Sequence, residues 1–458
     1  MHWLRKLVSV NTSEIKALLI SCLYFFLVLC AYYIFRPIRN EMTIANGVAN
    51  IQWLLMLAML VLFAVMPIFG WITGRFKTKQ FMSYCTLFFA SNLLIFFVLF
   101  NVPERPIWVS RAFFVWVNVF NMFIVSLFWS FMNDVYSKGQ SKRLFAFIAA
   151  GGTVGALTGP IITNLLVDHV GISYLLLISA VVLASSIFCI NWLASWENED
   201  FIDPSEKILL AQGIYITNSA ETAKPTAHTV RNESLKGSVW DGLLLLIKSP
   251  YLIGICLFVA LYSIALTFVM IHQAELIEIS YHDPIERTKL FSLIDLASSG
   301  IALLIQIFVT THLIRWLGFR ATLMMIPVGI TIGFALMAAN PVLMVMITLT
   351  VFRRAGDYSI MKPAREMLFT VVSREEKYRA KNFIDTAILR TGDTSSAWLH
   401  TGAKALGASA TAIPMIGVGM GIVWCTVAYW LGTQYNKLSE QPLSNQGVPN
   451  DARVPTAG

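Results

Sequence analysis

The 458 residues are 57% hydrophobic and only 13% charged, with a mean hydropathy of +0.67, whereas a soluble domain carries about 25% charged residues. That excess of apolar surface has to be solvated by lipid, which excludes a soluble enzyme. The formal net charge of +8 does not point to nucleic acid, because the basic residues concentrate in loops on one side of the apolar runs.

Runs long enough to span a bilayer lie at roughly 15–36, 51–74, 80–101, 107–132, 144–167 and 171–196, then at 250–273, 290–313, 319–339, 341–362, 380–406 and 411–434. They predict an all-α membrane protein of twelve transmembrane helices in two groups of six. The first run follows Arg5, Lys6 and Lys16 like a signal peptide, but it is too long for one, lacks an A-x-A end and continues into Arg36-Pro37. It is read as a retained helix. The expected organisation is a six-helix bundle over 1–196, a cytoplasmic linker over 197–247, a second bundle over 248–436 and a disordered tail over 437–458. The linker is rich in Ser, Thr and Ala, and Ser238 with Asp241 three residues on opens a short helix there.

Arg75, Lys77 and Lys79, then Lys138, Lys142 and Arg143, then Arg315 and Arg320, then Arg374, Lys377, Arg379 and Lys381 all follow helices on the side of Arg5 and Lys6. The positive-inside rule puts that side, with both termini, in the cytoplasm of a bacterial-type inner membrane. The halves also repeat. Cys22 in the first helix matches Cys256, and Lys142-Arg143 through Phe147 matches the stretch ending Arg379 to Phe383, at an offset of about 235 to 240 residues.

Charges inside spans are candidates for function, since a cation at membrane depth needs a polar cavity or a headgroup. Arg36 and Arg39 follow Tyr32-Tyr33 at the end of the first helix, where either a cavity or an outer interface beneath a tyrosine belt accounts for them. On the tenth helix Arg354, Tyr358, Met361 and Arg365 share helical spacing and one face. The pairs Arg353/Asp357 and Lys362/Glu366 stand at i,i+4 and predict internal neutralisation within a cytoplasmic gate, against direct anion binding by unpaired cations. On the eleventh, Asp385 and Arg390 lie inside the span, with Asp393 three residues beyond Arg390. Gly155, Gly159 and Pro160 on the fifth predict close helix packing ahead of solute contact. Asp295 and Arg111 read as isolated charges, and His272 beside Glu275 as a solvated pair ahead of a proton relay.

The six cysteines all sit in apolar runs without C-x-x-C spacing or a Cys/His cluster, so neither metal nor disulfide is expected. No Walker-type, H-E-x-x-H or G-x-S-x-G pattern occurs, so no cofactor and no enzyme chemistry is expected.

Gly70 through Lys77 after the second helix, with Gly155-x-x-x-Gly159-Pro160, resembles the major facilitator superfamily. Tyr358-Ser359 to Lys362-Pro363-Ala364-Arg365-Glu366-Met367, followed by Lys381 to Asp385, is similar to the ATP/ADP translocases of plastids and intracellular bacteria, whose pattern runs approximately K-Y-S-x-F-D-P-T-K-E-M, then K-x-K-A-A-x-D. Ser141-Lys142-Arg143-Leu144-Phe145-Ala146 is likewise similar to that family's A-K-R-F-Y-A. The resemblance implies two pseudo-symmetric bundles working by alternating access as a monomer. It also implies exchange of a small anionic solute, with ATP and ADP as candidates and no nucleic-acid partner. Two departures stand out: Lys362 replaces an acid, and Asp393 replaces a lysine. They predict either a swapped ion pair between helices ten and eleven or a branch with another solute. The rival readings are a proton-coupled carrier of another organic anion or drug-like solute and a non-transporting sensor.

Overall fold

The computed structural model describes residues 14–75, 78–104, 106–196, 249–372, 381, 383–409 and 411–440; the expected linker and the tail beyond 440 lie outside the described residues. Twelve helices appear among them. The first four are α1 (Glu14–Ala45), α2 (Ile51–Arg75), α3 (Thr78–Phe100) and α4 (Ile107–Val135). Lys138–Ser195 then forms two limbs, α5 over 138–170 and α6 over 172–195. The chain reverses between them at Gly171, whose φ of 77° only glycine adopts without strain. After the gap come α7 (Pro250–Ser280) and α8 (Pro284–Phe308); Thr310–Ala339 is likewise broken at Gly318, with a φ of 75°, and its limb over 319–339 is α9. Next is α10, built from Leu343–Gly356, a π-helical turn at Asp357–Met361 and Lys362–Leu368. A second π turn at Ile384–Ile388 leads into Leu389–Ala405 as α11, and α12 is Ala412–Glu440.

Every helix apart from α10 and α11 overlaps a run long and apolar enough to cross a membrane. These two are split by π turns and carry most of the intramembrane charge, so length and hydropathy alone under-read them. Large apolar side chains such as Tyr84, Phe188, Ile279 and Trp316 are more than 70% exposed, which is the surface lipid solvates. The chain is an all-α, multi-pass membrane protein. An apolar groove of about 710 Å³ runs along the outside of α2, α3 and α4 between Leu57, Tyr84, Phe88 and Trp116.

The apolar residues close into two main cores. One joins residues of α1, α3, α4, α5 and α6 around Tyr24, Phe35, Phe120 and Phe128. The other joins α7, α9, α10, α11 and α12 around Phe258, Phe334 and Trp424. In the first, α1 and α5 lie so close that a Cβ on Gly151, Gly155 or Gly159 would stand 2.4 to 2.6 Å from atoms of Cys22, Phe26 or Tyr33. Only glycine permits that approach. Ser137 and Gln140 form a capping box that starts α5.

The first helix outruns its expected end at residue 36 by nine residues. Pro37 removes one backbone donor, but it is buried with Ile34, Phe35, Ile38 and Met42, and this packing keeps the helix continuous.

Hereafter the face holding Glu14, Pro250 and Glu440 is the terminal face and its opposite the distal face. The halves meet at distal helix ends. Ile44, Val48 and Ile51 pack with Ile271, Ala274, Ile277, Phe291 and Ala397, and the Trp53 and Trp398 rings stand 4.9 Å apart, edge to face. Lys289 pairs with Asp168, Arg287 with Glu41 at 3.9 Å, and Asn164 Nδ2 reaches Ser292 Oγ at 3.5 Å. Among the described residues the ion pairs toward the terminal face stay within one half: Glu14 with Arg143 at 3.0 Å, Arg365 with Asp385 at 3.2 Å and Glu366 with Lys381 at 2.6 Å.

Candidate functional site

Arg36 stands nine residues before the end of α1, and Asp295 and Arg354 each stand eleven residues after the start of α8 and α10. At 1.5 Å per residue each lies about 14 to 17 Å from the distal end of its helix, near mid-depth of a hydrocarbon layer about 30 Å thick. They meet there. Arg354 Nη1 donates to Asp295 Oδ1, and Arg36 Nη1 approaches the same oxygen at 3.8 Å. Asp295 is fully buried, so it is not the isolated charge its sequence setting suggested. One carboxylate serves two cations from opposite halves of the chain.

The cluster is rich in cations. Arg36 lies over the Tyr33 ring at 5.1 Å and near Tyr32 at 6.0 Å. Arg39 donates to Asn40 Oδ1 at 2.8 Å, lies 5.8 Å from the Phe114 ring and is within electrostatic reach of Arg36, Arg354 and Asp295. Among the described residues neither Arg39 nor Arg353 has a carboxylate partner. Arg36, Arg353 and Arg354 each hold a buried Nε with no acceptor there. A buried, unsatisfied charged donor costs more than a neutral one, and three of them lie on these arginines.

On α10 the π turn resets the register. Lys362 N–H bonds to Asp357 O, five residues back, and the side chains follow: Lys362 Nζ stands 3.9 Å from Asp357 Oδ2 and 4.2 Å from the Tyr358 ring centre. Asp357 also accepts from the Tyr262 hydroxyl. The expected pairs Arg353/Asp357 and Lys362/Glu366 are not the ones formed: Asp357 is taken by Tyr262 and by Lys362, five residues on across the π turn, and Glu366 by Lys381. The expected common face of Arg354, Tyr358, Met361 and Arg365 is broken, because the π turn inside that stretch adds a residue to the spacing. Met361 is buried in the second core, and Arg365 turns to Asp385, a contact that joins α10 to the start of α11, with Glu366 and Lys381 alongside.

The swapped pair expected between Lys362 and Asp393 does not form either. Asp393 accepts from Ser263 Oγ at 2.5 Å and Thr267 Oγ1 at 3.0 Å on α7, and it faces Arg390 at 3.6 Å within its own helix. Gly155 and Gly159 serve the α1–α5 seam, as expected of tight packing, with Pro160 in the same helix. Arg143 pairs with Glu14 at the terminal end. Arg75 and Lys142 lie on described helix backbone, but their side chains are outside the described set. Sequence reading passed over Tyr262, Asp357 as a partner of Tyr262, and the Glu41–Arg287 pair, because each is completed by a residue far away in the chain.

Compared with known proteins, residues 18–361 match the family model described as Major Facilitator Superfamily. ADP,ATP carrier protein 1 of Chlamydia pneumoniae is 21% identical over 98% of this chain and 96% of its own length. ADP,ATP carrier protein 1 of Chlamydia trachomatis serovar D is 21% identical over 94% of this chain and 90% of its own. Among solved structures, an inward-facing, unoccupied bacterial homolog of the human lysosomal transporter Spinster superposes with a TM-score of 0.58 at 13% identity, covering 94% of this chain and 99% of that one.

Proposed function

This chain belongs to the Major Facilitator Superfamily, and from that premise we propose that it is a secondary transporter exchanging nucleotides, or a closely related multiply charged anion, by alternating access. The observation that carries the reading is the trio of buried guanidinium groups, Arg36, Arg353 and Arg354, each with an unsatisfied Nε. Around them Arg39 and Lys362 raise the local count to five cations against two carboxylates, Asp295 and Asp357. The surplus of three positive charges suits a nucleoside di- or triphosphate, and an anion of that charge needs such compensation in a low-dielectric cavity without metal. Guanidinium forks donate paired hydrogen bonds to phosphate oxygens. The near-full-length likeness to carriers named for ADP and ATP supports the same solute.

In this reading Asp295 stands in for the guest. While the site is empty, its carboxylate holds Arg36 and Arg354 together; an entering phosphate takes over those donors and transfers the link between halves to the solute. The phenol rings of Tyr32, Tyr33 and Tyr358 flank the same cations and offer a base a face to stack on. Arg365–Asp385 and Glu366–Lys381 fix α10 to α11 toward the terminal face. We place that face, with both termini, in the cytoplasm of an inner membrane; with the halves in contact distally, the cavity then opens inward. The protein works as a monomer of two bundles, 1–196 and 248–436, joined by the 197–247 linker.

Uptake of labelled ATP into proteoliposomes tests this. Uptake that requires internal ADP and ignores a pH gradient is expected. Uptake driven by the pH gradient and indifferent to internal nucleotide would replace exchange with proton coupling, and failure of ATP, ADP and related organic anions to cross at all would leave a non-transporting role.

A further inference from the structure

A second polar cluster lies away from the arginines, toward the distal ends of α7 and α11. His272 Nδ1 stands 3.4 Å from Glu275 Oε2, and His400 Nε2 stands 3.6 Å from Glu275 Oε1. The three side chains offer donor atoms all within 4.8 Å of one another. His272 and His400 are 4% and 3% exposed, and beyond these contacts with Glu275 neither ring nitrogen of His272, nor His400 Nε2, has a polar partner among the described residues. Two buried imidazoles held 3.4 and 3.6 Å from one carboxylate, longer than a well-made hydrogen bond, are costly as a purely structural arrangement.

We propose that His272, Glu275 and His400 form a binding site for a divalent transition metal of the zinc class. Zinc bonds of about 2.0 to 2.1 Å in tetrahedral geometry set neighbouring donors roughly 3.3 Å apart, which the two measured separations approach. Imidazole and carboxylate ligands select zinc and its neighbours over magnesium and calcium. Sequence reading expected no metal because the histidines lie on different helices, 128 residues apart. Lys404 donates to Glu275 Oε1 and is half exposed, so its ammonium occupies a position the cation would take and can swing out to solvent. The site ties α7 to α11 beside Ile271, Ala274 and Ala397, which belong to the contact between halves. A bound ion therefore stiffens the distal closure. This site is independent of the solute the arginines take.

The test uses tag-free, full-length protein in detergent, with zinc chloride and magnesium chloride as probes, read by isothermal titration and by melting temperature. Zinc is expected to bind at one site and raise the melting temperature, with EDTA reversing it and magnesium inert. His272→Ala and His400→Ala should each weaken zinc binding by about tenfold or more, while Lys404→Ala, which removes the competing ammonium, should tighten it. The metal-free melting temperature of each variant shows whether it folds, and the Lys404→Ala result stands even if a histidine variant does not. No zinc-specific binding to the wild type, equal binding after loss of both histidines, or weaker binding in Lys404→Ala would each overturn the assignment.

Discussion

Arg36 of α1 and Arg354 of α10 converge on a single oxygen of Asp295, so one carboxylate joins guanidinium groups from the two halves. Breaking one member of a buried charge set costs about 3–5 kcal/mol because it strands the others. Asp295→Asn should therefore lower the melting temperature of the unliganded protein in detergent. It should also enlarge the stabilisation that added ATP gives, since the guest then supplies the counter-charge that Arg36 and Arg354 have lost. An unchanged melting temperature with an unchanged ATP response would show that the carboxylate does not balance these arginines.

Arg353 differs from its neighbour, for its loss strands no acid. Arg353→Ala should fold with stability equal to or above wild type yet bind nucleotide roughly ten- to a hundredfold more weakly, the value of one or two charge-assisted hydrogen bonds. Arg354→Ala should abolish uptake. Arg390, about a third exposed and paired with Asp393, should matter less than either. Binding isotherms on purified variants give this ranking.

The α1–α5 seam gives a packing prediction. A methyl on Gly155 would stand 2.5 Å from the Phe26 carbonyl oxygen, whereas one on Gly139 would meet nothing within 4 Å. Gly155→Ala should destabilise by about 1–3 kcal/mol and Gly139→Ala should not. Thermal melts of the two side by side provide the comparison.

Trp53 and Trp398 face each other across the distal contact. In a background with the six native cysteines replaced, Trp53→Cys with Trp398→Cys should be joined by a short bifunctional thiol reagent. Joining them should stop exchange, and cleavage of the reagent should restore it. Full exchange by the cross-linked protein would mean that this contact need not open during the cycle.

The helices themselves were readable because lipid imposes a simple demand: about twenty apolar residues per crossing. Gly155 and Gly159 were legible as packing residues because small side chains at a spacing of four have few other uses in lipid. Partners were harder to read. The helical spacing that put Arg354, Tyr358, Met361 and Arg365 on one face assumes an unbroken α-helix, and the π turn at Asp357–Met361 adds a residue to the turn and sets Asp357 beside Lys362, five residues on. Nothing in the local composition announces that extra residue. Asp295 looked solitary for a different reason, since its arginines lie more than fifty positions away in either direction along the chain.

The glycine seam has a consequence for motion. With no slack between α1 and α5, these helices form one stiff spar, and the first half has little means of flexing along it. The π turns on α10 and α11 lie in the other half, each a loop of spare backbone that can be drawn in or let out by a single residue. Flexing during a solute's passage therefore concentrates in the second half, which bends around a frame that the first half holds still.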